Sequence, residues 1–105
     1  MEDTTPVVVE AVRTPQGRRD GAFAETRSED LSLPLVETIL QRTGLGEAHV
    51  DDLLWGVAQQ RDVQGNNLAR VITLLAGLES VPGATINRWC ASSAAAVARA
   101  ADAIA

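Results

Sequence analysis

The chain has one cysteine, one histidine, nine arginines and no lysine. Among the side chains able to do covalent chemistry, Cys90 has the most distinctive setting. It lies in Asn87-Arg88-Trp89-Cys90-Ala91-Ser92-Ser93. A β-type run, Pro82 to Asn87, leads into it, and an alanine-rich run that reads as helix follows. At a strand-to-helix junction the first-turn N–H groups are free and the positive end of the helix macrodipole lies close by. Such a junction suits a thiol that must act as a nucleophile. Cys90 is therefore a candidate acyl-accepting nucleophile. The competing reading is a small buried hydrophobe, because free cysteine is among the most buried residue types.

The remaining reactive side chains form no second centre. His49 lies in the acidic connector Gly46 to Asp52, with no neighbouring nucleophile or orienting group, and reads as solvated. Arg13, Arg18 and Arg19 crowd a Pro- and Gly-punctuated loop that ends at Gly21. They suggest phosphate binding, but no glycine-rich cradle accompanies them. Ion pairs to Asp20 and Glu25 in a solvated loop are the favoured expectation. A single cysteine makes no internal disulfide, and neither a CxxC pair nor a metal-ligating cluster occurs. Without lysine there is no Schiff-base chemistry.

The elements that must position Cys90 follow from periodicity. Thr5 to Val12, with Val7-Val8-Val9 at its centre, reads as a strand buried on both faces. Leu31, Leu35, Val36, Ile39 and Leu40 form a helical stripe. Ser28 or Ser32 serves as its cap, and Pro34 favours the later start, since proline prefers a first turn. Gly44 is the expected left-handed stop. Leu53 to Ala58 reads as a second buried strand and Gln59 to Asn66 as a polar loop. A helix capped by Asn66 or Asn67 follows, with Leu68, Val71, Ile72 and Leu75 inward and Gly77 as its stop. Leu78 to Gly83 is a connector with a Pro-Gly turn, Ala84 to Asn87 the third strand, and Cys90 to Ala105 the third helix.

This order, β-α-β-α-β-α, implies an α/β fold: a mostly parallel sheet with helices packed on it. Sites in such sheets lie beyond the carboxyl ends of the strands, where Cys90, the Arg13–Gly21 loop and the Gln59–Asn66 loop would all fall. The last helix is apolar nearly all round, broken only by Arg99 and Asp102. A helix of that kind is normally wrapped by other elements. Three strands and two other helices do not suffice, so the 105 residues are expected to be one piece of a larger domain or to fold against a partner.

A hydrophobic content of 46% with 22% charged residues is that of a globular chain. A net charge of −5 argues against a nucleic-acid or anionic-membrane partner. No apolar run approaches a membrane span, and Met1-Glu2-Asp3 lacks the basic and apolar regions of a signal peptide, so a cytoplasmic setting is expected.

Five segments together resemble the N-terminal part of a thiolase. They are Val9-Glu10-Ala11-Val12-Arg13-Thr14-Pro15, Gly21-Ala22-Phe23, Trp55-Gly56-Val57-Ala58-Gln59-Gln60, Gln64-Gly65-Asn66-Asn67-Leu68-Ala69-Arg70 and Val81 through Ser93. The Trp-Gly-x-x-Gln-Gln and Cys-x-Ser-Ser details look more like degradative 3-ketoacyl-CoA thiolases than biosynthetic acetoacetyl-CoA enzymes. Ser93 departs from this, standing where many relatives carry glycine. The resemblance implies thiolytic cleavage of 3-ketoacyl-CoA by coenzyme A, as in fatty-acid β-oxidation, or the reverse Claisen condensation. Coenzyme A is then a substrate, and no separate cofactor is needed. Cys90 matches the cysteine that carries the acyl group as a thioester, and its N–H would help form an oxyanion hole.

In thiolases the activating histidine, a second cysteine and an oxyanion-hole asparagine come from the C-terminal half, and the main CoA-binding loops also follow this segment. His49 does not match that histidine. The resemblance places this chain as the first part of one half of a five-layered fold, with the C-terminal domain absent, and implies a homodimer or homotetramer at full length. In relatives the strand before the nucleophile pairs across the dimer axis, which makes Thr85 and Ile86 candidate interface residues. Two other expectations stand beside the thiolase one. A β-ketoacyl synthase-like condensing enzyme would use the same cysteine, although the Arg-Thr-Pro and Gln-Gly-x-Asn-x-Ala-Arg stretches favour thiolase. A truncated or split gene product would be inert alone, and inertness is the expectation for these residues in isolation.

Overall fold

The computed structural model describes residues 3–105. Its regular elements are α1 (Ser28–Thr43), β1 (Leu53–Gly56), α2 (Leu68–Leu75), β2 (Gly83–Ile86) and α3 (Ser92–Ile104), with short 3-10 turns at Glu47–His49 and Asp62–Gln64. β1 and β2 form a parallel two-stranded sheet, with Leu53 opposite Gly83 and Gly56 opposite Ile86. The α/β class and the two later strands are as expected.

The first strand is not. Residues 5–12 have no regular secondary structure among the described residues. Val7, Val8 and Val9 are 71%, 81% and 74% exposed. β-branched residues prefer a pleated, half-buried surface, but a strand needs a partner edge to satisfy its backbone, and here none is paired to this segment. The Arg13–Gly21 loop is consequently not positioned by a strand end. Its arginines make no ion pair with Asp20 or Glu25 among the described residues; Arg13 donates instead to the adjacent Thr14 carbonyl at 3.1 Å.

α1 takes the earlier of its two possible starts. The Asp30 and Leu31 N–H groups both donate to the Arg27 carbonyl at 3.1 Å, and Arg27 pairs with Glu29. No side chain caps this end. Glu29 and Asp30 then lie in the first turn, where the macrodipole favours acid. Pro34 sits inside the helix. Its missing N–H deprives only the Asp30 carbonyl, and both residues are exposed, so water can take its place. The helix ends as expected on left-handed Gly44, whose N–H donates to Leu40.

Side chains alternate across a strand, so the register assigns each helix a face of the sheet. A Cβ on Gly83 would lie 2.7 Å from the Ala69 and Arg70 backbone of α2. A Cβ on Gly56 would lie 2.5 Å from the Ser93 nitrogen of α3. Gly83 and Gly56 belong to opposite faces in the register, so α2 and α3 sandwich the sheet, and α1 packs on α2. The core is on the α2 side: Val36, Val57, Leu68, Ile72, Leu78 and Val81, with Leu53 and Trp55 packed against them. Within α2, Ala69 and Thr73 are fully buried, whereas Leu75, expected inward, is 52% exposed.

Candidate active-site turn

β2 ends at Ile86 and α3 begins at Ser92, leaving Asn87 to Ala91 to reverse the chain. Cys90 is in this turn as an exposed free thiol. Its reading as buried filler is therefore overturned. The chain passes so abruptly from strand to helix that Trp89 adopts the left-handed region, with φ +52°. For a bulky aromatic residue that conformation is strained. The Trp89 side chain is 73% exposed, so packing does not hold it there.

Polar side chains on either side of Trp89 hold the turn. Its N–H donates to Asn87 Oδ1 at 2.9 Å. Its carbonyl accepts from Ser92 Oγ at 2.6 Å, and the same Oγ accepts from the Arg88 N–H at 2.8 Å. Ser92 is 4% exposed, although Cys90 and Ser93 on either side of it are exposed. The Ala91 N–H closes the turn onto the Arg88 carbonyl at 3.0 Å. Because Gly56 has no side chain, the first turn of α3 seats directly on the end of β1.

The parallel register brings the Gln59–Asn66 loop to the same end of the sheet. Gln60 crosses between the strands there: it donates to the Val57 carbonyl at 3.3 Å and accepts from Thr85 Oγ1 at 3.1 Å. Asn67 starts α2 from a left-handed position, φ +55°, without capping it. Its side-chain amide instead donates to the Gly83 carbonyl at 2.8 Å, tying the helix start to β2. Beside this turn, Arg88, Ala91, Ala95 and Arg99 border a recess of about 400 Å³.

His49 is not part of this turn. Its Nδ1 accepts from the Gly46 N–H at 3.1 Å, and its ring borders a different feature. That feature is an apolar groove of about 1110 Å³ between α3 and the free edge of β1, lined by Leu54, Trp55, Ala96, Val97 and Ala100. Cys90 does not line it. Of the site features, the Ser92 bracket, the left-handed Trp89 and the Gly56 seat were not foreseen. A serine two residues past the cysteine and a glycine ending an apolar strand were their only traces in the sequence.

The family described as "Thiolase, N-terminal domain" matches residues 6–105. A 3-ketoacyl-CoA thiolase of Serratia proteamaculans is 50% identical over 101 residues, covering 93% of this chain and 26% of that protein. A 3-ketoacyl-CoA thiolase of Pseudoalteromonas translucida is 47% identical over 102 residues, covering 94% and 26%. The chain thus spans about a quarter of the length of the relatives it matches. Among solved structures, the acetyl-CoA acetyltransferase of Bacillus anthracis superposes with a TM-score of 0.79 at 34% identity, over 86% of this chain and 23% of that one.

Proposed function

The chain belongs to the thiolase family, and from that premise we propose that it carries the nucleophile of a thiolase-type acyltransferase acting on 3-ketoacyl-CoA. The observation that carries this reading is an exposed Cys90 thiol on a bracketed turn between β2 and α3. In the cleavage direction the Cys90 thiolate adds to the 3-keto carbon. The C2–C3 bond then breaks; its electron pair stays on C2, which takes a proton, and acetyl-CoA leaves. The shortened acyl group remains as a thioester on Cys90. Coenzyme A attacks that carbonyl, releases the shortened acyl-CoA and returns the thiol. Thioester-for-thioester exchange keeps the carbonyl activated and splits one difficult step into two easier ones. In this reading the N–H of Cys90 itself is a donor to the oxyanion, close to the positive end of α3.

The activating base and the group that protonates C2 are supplied from outside these residues in this proposal. A cytoplasmic, reducing setting goes with it, since there a free thiol stays available. No helix among the described residues is long and apolar enough to cross a membrane. For assembly, the unpaired outer edge of β2, carrying Thr85 and Ile86, is the surface we assign to pairing with a second copy.

The test is intact mass after incubation with acetyl-CoA. Without the base the chain is expected not to turn over, and to take only a slow, stoichiometric acetyl adduct on Cys90 that is absent from Cys90→Ser. A folded chain in which Cys90 stays unmodified would sink the acyl-transfer role for these residues and favour a non-catalytic product.

A further inference from the structure

We propose that Ser92 is a positioning residue for Cys90: its hydroxyl, together with Asn87, holds Trp89 in the left-handed conformation that presents the thiol. This rests on the reading of Cys90 as the acyl-accepting nucleophile. Three observations support it. First, Trp89 has φ +52° with its side chain in solvent, so neither intrinsic preference nor packing keeps it there. Second, both polar backbone atoms of Trp89 have a side-chain partner, the N–H in Asn87 Oδ1 and the carbonyl in Ser92 Oγ at 2.6 Å, the latter beside a longer bond of 3.2 Å from the Ser92 N–H. Third, Ser92 does not act as an ordinary helix cap. A cap accepts from N–H groups further into the helix, whereas Ser92 Oγ reaches back to the Arg88 N–H and the Trp89 carbonyl. Its backbone is itself fixed, because Gly56 lets the Ser92–Ser93 peptide rest on β1.

The bracket therefore links the sheet, through the start of α3, to the residue just before the nucleophile. Without the hydroxyl the Trp89 carbonyl keeps only the longer bond from the Ser92 N–H and the Arg88 N–H loses its acceptor, so Trp89 relaxes towards negative φ and the Cys90 backbone turns with it. Displacing a reacting group by about 1 Å is enough to cost on the order of a hundredfold in rate.

The experiment follows Cys90 modification by peptide-resolved mass spectrometry in the full chain, with two reagents. Acetyl-CoA reports acyl transfer, and iodoacetamide reports presentation of the thiol alone. Ser92→Ala is expected to slow acetylation about tenfold to a hundredfold at saturating acetyl-CoA, leaving the half-saturating concentration unchanged. Ser92→Thr, which keeps the hydroxyl, recovers most of the rate. Trp89→Gly added to Ser92→Ala also recovers it, because glycine holds a left-handed φ without a bracket. A merely structural serine would not be rescued in that way.

Wild-type rates with both reagents in folded Ser92→Ala would overturn the bracket while leaving the acyl-transfer reading intact. If acetyl-CoA leaves the wild-type Cys90 unmodified but the iodoacetamide pattern holds, the acyl-transfer reading fails and the bracket stands. Should Ser92→Ala not fold, Asn87→Ala carries the test, since it removes the other hydrogen bond from an exposed position. An unchanged alkylation rate there would overturn the proposal, and a slower one supports it.

Discussion

Gly83 and Gly46 show how far one missing methyl group depends on its surroundings. At Gly83 an added Cβ would sit 2.7 Å from the Ala69 carbonyl carbon and the Arg70 nitrogen, both main-chain atoms of α2. Neither can step aside without moving the helix. Gly83→Ala is expected to destabilise the chain by about 1–3 kcal/mol, the usual cost of overpacking. At Gly46 the backbone is extended, φ −113°, and the nearest atom lies 4.0 Å away. Gly46→Ala is expected to raise stability by about 0.4–1 kcal/mol through the unfolded chain. Urea midpoints at constant slope measure both; equal shifts for the two would refute the close-approach account of Gly83. The sequence read Pro82-Gly83 as a turn because that dipeptide marks turns, but a close backbone approach in the first residue of a strand also requires glycine. Cys90 was legible for the opposite reason: the change from strand pattern to helix pattern frames it locally. The exposure of its thiol and the left-handed Trp89 depend on tertiary seating against β1, and no local pattern reports that.

Between elements, the 3-10 turn at Glu47–His49 is tied to the connector after α2 by one carboxylate. Glu47 Oε1 accepts from both the Ser80 N–H and the Ser80 hydroxyl at 2.6 Å. These hydrogen bonds hold the Glu47 carboxyl below its ordinary value of 4.5. The folded chain thus binds this proton less readily than the unfolded one. The stabilisation is present above the unfolded value and is lost as pH falls through the lower folded one. Glu47→Gln should therefore lower the melting temperature at neutral pH by a small amount, as expected of an exposed contact, and the gap between the two proteins should close below about pH 4.5. A gap that persists at acid pH would mean the carboxylate charge is not what matters. Elements themselves were legible where apolar spacing is regular, as in α1, α2 and α3. Their ends were less so. Pro34 argued for a late α1, yet an exposed helix face loses little when one carbonyl turns to water. Asn66 or Asn67 is the expected cap of α2; Asn67 holds that position, but its side-chain amide donates to the Gly83 carbonyl of β2 instead.

At the scale of the molecule, the chain is longer than its core requires. The radius of gyration is 14.2 Å, against about 13 Å for a compact domain of this size. The longest dimension, 52 Å, is about twice the others. Three valines stand exposed in the unpaired segment 5–12, beside a sheet of only two strands. On the far side of that sheet α3 buries only Ser92 and Ala96 and leaves Val97 65% exposed. The helix apolar all round therefore has one covered face, and the groove against β1 is its uncovered counterpart. The valine pattern was legible as strand, but pairing is a property of a neighbour, which a single segment cannot specify. These surfaces are proposed to be covered by more of the same protein or by a second copy. The 105-residue chain studied alone is then expected to bind a hydrophobic dye and to associate with rising concentration in sedimentation. Val97→Asp should weaken that association about tenfold or more, since burying one valine is worth about 1.5–3 kcal/mol. A cooperative, dye-free monomer would show instead that the two-stranded sheet and its helices suffice, and that α3 tolerates water along its length.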